Sequence, residues 1–300
     1  MVHSDTYTLN NGVQIPQLGL GTWFISNKDV TAAVRSAIDL GYRHIDTAQA
    51  YRNEAGVGEA IRTSGVKRVD LFVTTKLPAG AKSYKKAAKA IDASLEKLGL
   101  EYIDLLIIHS PQPWGQFRGD KRYFDENREV WRALEDAYKD AKVRAIGVSN
   151  FEKDDLDNIL EVATVKPAVN QVLAHIGNTP FDLIAHTQAQ GILVEAYSPV
   201  AHGALLDNAE VKSIAAKYGV SVPQLSIRYT LQLGLLPIPK TANPEHQRTN
   251  GELDFVISDE DMETLKKVEP VTDYGNANMM PVFGGKLTPA SILKAVFSRG

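Results

Sequence analysis

Asp46, Tyr51, Lys76 and His109 are the residues whose types and spacing could do chemistry together. Lys76 closes the apolar run Leu71-Phe72-Val73-Thr74-Thr75, so its stem is expected inside and its ammonium needs a counter-charge. Asp46, ending the run before it, is the obvious partner, although that pair alone is as well explained by a structural salt bridge. His109 follows Leu105–Ile108 and taken alone reads as a hydrogen-bonded structural residue. Tyr51, five residues beyond Asp46, is unremarkable by itself. Together they suit one reaction. A tyrosine with an ordinary pKa of about 10 gives up its proton poorly at neutral pH. A neighbouring ammonium is expected to lower it, with Asp46 keeping that ammonium charged and oriented. A neutral His109 could donate a hydrogen bond to a carbonyl oxygen. The set suits protonating an oxygen whose carbon accepts a nucleophile such as hydride. No side chain here is a hydride donor, so a cofactor is implied.

These residues need a scaffold that gathers strand ends. Short apolar runs recur at Gln17–Leu20, Arg43–Asp46, Leu71–Lys76, Ile103–His109, Val143–Val148, Ala168–Gln171, Leu193–Tyr197 and Leu235–Pro239. They are apolar almost throughout, as strands covered on both faces are. Amphipathic stretches with helix punctuation lie between them. Ser83–Leu98 opens on a Ser cap and stops at Gly99, Thr31–Leu40 ends at Gly41, and Pro180–Gln190 is followed by Gly191. Eight such alternations predict an α/β fold, an eightfold (β/α)8 TIM barrel, as one domain over residues 1–300. Its polar strand ends all fall at the rim where such barrels build active sites. A doubly wound sheet is the runner-up. Its dinucleotide turn should read G-x-G-x-x-G, and Gly19-Leu20-Gly21-Thr22-Trp23-Phe24 lacks the third glycine. Tyr7–Ile15 reads as a hairpin across Asn10-Asn11-Gly12 that plugs the barrel bottom. The loop 110–125 and the tail 271–300 are expected near the substrate site, the tail with a short helix from Thr288.

Composition excludes several classes. With 33 Lys+Arg against 36 Asp+Glu there is no basic footprint, so no nucleic-acid partner is expected. No cysteine means no disulfide framework and no thiolate nucleophile. The start lacks the pattern of a signal peptide, no apolar run approaches a membrane span, and a cytoplasmic protein is expected. No metal site is expected. His44-x-Asp46 looks like a metal fragment, but His44 is expected to turn away from Asp46. His175 and His202 are expected in solvated rim loops, and Lys82, Lys85, Lys86 and Lys89 on the solvated face of a helix. Met279–Phe283 caps the substrate pocket or packs on the barrel wall, with little to choose between the two.

The chain resembles the aldo-keto reductases. Gly41-Tyr42-Arg43-His44-Ile45-Asp46-Thr47-Ala48 with Tyr51, Asn53, Glu54, Val57 and Gly58 matches that family's most specific stretch. Leu18–Trp23, Gly147–Phe151 and Ile238–Thr241 match three more, in order, from about residue 5 to 270. The likeness is to the bacterial branch similar to 2,5-diketo-D-gluconate reductases. It implies reduction of aldehydes and ketones by NADPH, with Tyr51 as general acid and Asp46, Lys76 and His109 completing a tetrad. The cofactor would lie across the barrel mouth, touching Thr22. Tyr197 would stack on the nicotinamide, and Ser149, Asn150 and Gln171 would bond its carboxamide. Ser198, Pro199 and Val200 would follow the pyrophosphate. Lys240, Thr241 and Asn243 would approach the adenosine phosphate, with His246 and Asn250 near the adenine. Trp23, Phe24 and Trp114 would wall the substrate site, with Ser110 also lining it, and the family habit favours a monomer.

Two departures stand out. His246 occupies a position where many relatives carry an arginine facing the 2′-phosphate. A neutral imidazole offers no permanent charge and no fork, so NADH is expected to be tolerated beside NADPH, unless Arg248 supplies the charge. Ser110 follows His109 where many relatives have Trp, which predicts a more open, more polar pocket unless Trp114 folds over the gap. A cofactor-binding sensor on the same barrel, with little turnover, is the leading alternative. A third reading makes Lys76 the Schiff-base lysine of an aldolase.

Overall fold

The computed structural model describes residues 2–286. The helix expected from Thr288 lies outside them. Eight strands run parallel in chain order around the sheet: β3 (Gly19–Gly21), β4 (His44–Asp46), β5 (Phe72–Leu77), β6 (Ile103–Ile108), β7 (Val143–Ser149), β8 (Val169–Leu173), β9 (Leu193–Tyr197) and β10 (Leu236–Ile238). A parallel bridge between Gly21 and Lys240, with Gly21 N donating to Pro239 O at 3.0 Å, closes the ring. This is the (β/α)8 barrel.

The two glycines of Gly19-Leu20-Gly21 belong to that closure. A Cβ on Gly19 would lie 2.7 Å from His44 Nδ1 and 2.8 Å from Ile238 Cγ2. One on Gly21 would lie 3.0 Å from the Ile238 carbonyl. Their bare faces let β10 and the His44 ring come in, so this G-x-G serves strand packing and not a phosphate turn.

The predicted hairpin is present as β1 (Thr6–Thr8) and β2 (Gln14–Pro16), paired antiparallel. Leu9 and Ile15 join Phe72, Leu105, Ile107, Ala145 and Val169 in one buried cluster. Asn10 and Asn11 donate to Pro167 O (2.7 Å) and Arg144 O (2.9 Å), pinning the turn beneath the strands. A larger apolar shell lies between strands and helices. It includes α1 (Asn27–Asp39), α2 (Glu54–Thr63), α3 (Tyr84–Leu98), α4 (Phe124–Lys139) and α5 (Lys153–Leu160).

Helix ends follow local chemistry closely. Ser83 caps α3, and Gly99 closes it in the left-handed region at φ 61°. α1 starts earlier than the expected Thr31 because Ser26 supplies a cap there. After α6 (Phe181–Ala189) the alternation is less regular. Two helices, α7 (Ala209–Lys217) and α8 (Val222–Gln232), separate β9 from β10, and α9 (Pro244–Asn250) and α10 (Asp259–Leu265) follow. No helix among the described residues is long and apolar enough to cross a membrane.

Candidate active site

Sequence periodicity places Asp46, Lys76 and His109 at adjacent strand ends, and packing then decides what they touch. Lys76 is wholly buried; its Nζ donates to Asp46 Oδ1 at 2.5 Å and to Thr47 O at 2.8 Å. Tyr51 ends a short 3-10 turn, Gln49–Tyr51, followed by Arg52 in the left-handed region at φ 58°. Buried Asn53 holds the far side of that turn by donating to Thr22 O and Ile25 O, both at 3.0 Å. The Tyr51 ring then stands 5.0 Å from Lys76 Nζ and meets His109 edge to face at 5.7 Å. The four expected residues are thus brought together.

Their protonation differs in one respect from expectation. Burial, and then the Asp46 carboxylate, hold the Tyr51 phenol well above its ordinary range, so Lys76 does not lower it here. The Lys76 ammonium is also bonded to Asp46 and Thr47, and burial with Asp46 outweighs its pull on the phenol. Tyr51 therefore keeps its proton at neutral pH. Burial, with the nearby Lys76, holds His109 well below its ordinary range, so its imidazole is neutral. His109 Nδ1 is buried without a hydrogen-bond partner among the described residues. A bare lone pair is tolerated there more readily than an orphaned N–H, which assigns the ring proton to Nε2.

These groups open into a cavity of about 340 Å³. Its polar wall holds Asp46, Tyr51, His109, Ser149, Asn150, Gln171, Ser198 and Lys240, with the ring of Tyr197. Trp23, Phe24, Trp114 and Val200 contribute apolar surface. Met279, Met280, Val282 and Phe283 from the tail also line it, which decides between capping and wall packing. Phe283 stacks at 6.1 Å on Trp23. Tyr274 anchors the tail, its hydroxyl meeting His175 Nε2 at 3.1 Å and accepting from Asn178 at 3.0 Å.

Several expected residues lie elsewhere. Thr22 is buried and donates to Asp46 O at 3.0 Å, and Pro199, Thr241, Asn243, His246 and Asn250 do not line this cavity. Asn243 caps α9 instead, accepting from Glu245 N at 2.9 Å. Ser110 is buried outside the cavity lining, its hydroxyl accepting from Gln112 N. The gap beside His109 is filled by Trp114, edge to face at 5.2 Å, so the pocket is not opened by the missing aromatic. Buried Gln112 builds that loop by bonding Gly119 O, Lys121 O and Arg118 N. Lys82 is not on a solvated helix face; it donates to Ser110 O and Asn127 Oδ1 at 2.7 and 2.8 Å. His175 is fully buried rather than solvated, while His202 is exposed at the rim. His44 shares the barrel interior with Asp46, since residues two apart on a strand face the same side, and its Nε2 meets Thr74 Oγ1 at 2.9 Å.

The wall fits a nicotinamide cofactor in two ways. Gln171 Oε1 makes no hydrogen bond among the described residues and is left as an acceptor for a carboxamide N–H. Lys240, at the rim, has no ion pair among them and is left as a cation for a phosphate. Arg248, two residues beyond His246, pairs at the surface with Glu245 at 2.5 Å and with Glu252. The Asn150 amide is already committed, donating to His109 O and Ser149 Oγ and accepting from the Tyr197 hydroxyl at 2.7 Å.

The family model described as the Aldo/keto reductase family matches residues 17–270 of this chain. The chain belongs to that family. As an aldo-keto reductase it is an oxidoreductase of carbonyl groups, and its relatives agree. It is similar to a glyoxal reductase of Bacillus subtilis, 43% identical over 263 residues, covering 87% of this chain and 91% of the relative. A morphine 6-dehydrogenase of Pseudomonas putida is 39% identical, with 89% and 92% covered. Among solved structures, an aldo/keto reductase from Brucella melitensis gives a TM-score of 0.83 at 39% identity, covering 90% of this chain and 99% of that one. A Bombyx mori aldo-keto reductase in complex with NADP gives 0.83 at 33% identity, with 93% and 97% covered. The Schiff-base reading of Lys76 fails on geometry, because its amine is fully buried and bonded to Asp46.

Proposed function

We propose that the protein, acting as one barrel domain, reduces aldehydes and small ketones to alcohols using NADPH, with NADH tolerated, and that Tyr51 donates the proton. NADPH supplies the hydride when bound. The observation that carries this reading is the pairing of a protonated phenol and a neutral imidazole on one cavity wall, backed by a buried ammonium–carboxylate pair.

A carbonyl oxygen lying between Tyr51 and His109 receives a hydrogen bond from His109 Nε2–H and the proton from the Tyr51 hydroxyl. As negative charge builds on the phenolate oxygen, the Lys76 ammonium 5.0 Å from the ring stabilises it. Asp46 keeps that ammonium charged and fixed. Gln171 is left to bond the cofactor carboxamide and the Tyr197 ring to pack on the nicotinamide, while Lys240 faces a phosphate. The apolar walls of Trp23, Phe24, Trp114 and the tail favour small dicarbonyls and aromatic aldehydes over charged sugar acids.

The test is consumption of NADPH and NADH with methylglyoxal, an aromatic aldehyde and a diketo sugar acid, for wild type and Tyr51→Phe. Turnover should fall by at least about a hundredfold in the variant while NADPH affinity survives. Tight cofactor binding with no turnover of any carbonyl in the wild type would instead favour a cofactor-binding sensor.

A further inference from the structure

Glu195 is a buried acid that the chemistry above does not use. Glu195 lies inside the barrel on β9, fully buried, two residues before Tyr197. Its Oε2 accepts from Gln171 Nε2 at 2.7 Å, and the same nitrogen donates to Asp46 Oδ2 at 2.9 Å. The other Asp46 oxygen takes the Lys76 ammonium. Glu195 Oε1 has no hydrogen-bond partner among the described residues, with His44 Nε2 4.0 Å away.

One ammonium in this interior answers one carboxylate. A second ionised carboxyl would be an unpaired buried charge, which costs more than taking up a proton. Burial, and then Asp46, accordingly push the Glu195 carboxyl up to about 8. At neutral pH it is a neutral group that accepts one hydrogen bond from Gln171.

That bond has a geometric consequence. Both hydrogens of a primary amide lie in the amide plane. A single acceptor fixes one direction and leaves the plane free to turn about it. Two acceptors on the same nitrogen fix the plane, and with it the position of the amide oxygen. Asp46 and Glu195 are those two acceptors.

We propose that Glu195 is a positioning residue that acts through Gln171, holding the Gln171 carbonyl oxygen toward the cavity as a ready acceptor for the carboxamide N–H of the nicotinamide cofactor. The inference rests on the reading that this cavity takes such a cofactor.

The test compares binding of NADP+ with binding of its 3-acetylpyridine analogue, in which a methyl replaces the carboxamide nitrogen and removes the N–H donor. Calorimetric titration reads affinity without turnover. Wild type should prefer NADP+ by about tenfold, the worth of one hydrogen bond. Gln171→Met, which removes the acceptor, sets the baseline with no preference. Glu195→Met should shrink the preference to under about threefold, while Glu195→Gln, which still offers an acceptor oxygen to Gln171, should restore it. Should Glu195→Met not fold, Glu195→Thr is too short to reach Gln171 and serves in its place. A folded variant of either kind that keeps the tenfold preference overturns the role of Glu195 and leaves the proposed function standing. Equal binding of both nucleotides by wild type also overturns it. Wild type that binds neither nucleotide overturns the cofactor reading itself.

Discussion

Two carboxylates, Asp46 and Asp104, are almost equally hidden from water but completed in different ways. Asp104, near the start of β6, accepts from Arg144 at 2.7 Å on one oxygen and from Arg68 at 2.5 Å and Val73 N at 2.9 Å on the other. The two guanidinium side chains stay 42% and 22% exposed, so they keep part of their hydration. Asp46, at the end of β4, is paired with an ammonium that has no contact with water. Around it His109 Nδ1, His44 Nδ1 and Glu195 Oε1 are left unpartnered among the described residues, against Arg68 Nε beside Asp104. The first arrangement stabilises the fold at little desolvation cost. The second costs stability beside the cavity that Asp46 and His109 line, which is where local rules are broken in proteins that do chemistry.

Breaking each pair should separate these roles, and gives the largest effects. Lys76→Met leaves Asp46 as an uncompensated buried charge and is expected to cost about 3–5 kcal/mol of stability by denaturant titration, with loss of turnover. Asp104→Asn should cost about 2 kcal/mol while kcat is unchanged. Equal loss of activity in both variants would erase the distinction.

Titration sharpens the comparison with a smaller effect. The Glu195 carboxyl, at about 8 against an ordinary 4.5, holds a proton in the folded chain that the unfolded chain releases between those values. Folding therefore loses stability as pH rises from about 4.5 to about 8. Glu195→Gln should flatten that slope, read as the change in denaturant midpoint between the two ends of the window. A slope that Glu195→Gln leaves intact would show that Glu195 is not its source.

The smallest effect is expected at His246, exposed on α9 and proposed to lie near the adenine end of the cofactor. His246→Arg should shift the ratio of kcat/KM for NADPH over NADH by about fivefold to tenfold, since a solvent-screened charge contributes modestly. An unchanged ratio would mean that Lys240 alone already sets the preference.

Much of the site was legible because strand ends leave a local mark. An apolar run that stops at Asp46, Lys76 or His109 says where each side chain is delivered, and eight such runs in register say that they are delivered to one rim. The hairpin and the capped helix α3 were legible for the same reason, as turn and cap residues act within a few positions of themselves. Ser110 was misplaced because a neighbour in sequence was taken for a neighbour in the pocket; the loop turns inward there, and Trp114 returns to cover His109. Lys82 was misread because helical spacing with Lys85, Lys86 and Lys89 was trusted across the helix cap at Ser83. His44 was misjudged by a slip of strand period that a check of residues i and i+2 would have caught.

The sequence by itself determined the alternation of strands and helices, the rim that gathers the polar strand ends, and the phenol proposed as proton donor with its ammonium–carboxylate pair. These follow from periodicity, capping and strand termini, whose causes are short in range. Only the tertiary structure decided that Gln171 bridges Asp46 and Glu195, that the tail walls the cavity, and that burial raises Tyr51 further and keeps Glu195 protonated. Asp46 and Gln171 are 125 residues apart. Their contact, and the loss of water that sets the protonation of their neighbours, exist only once the barrel has closed.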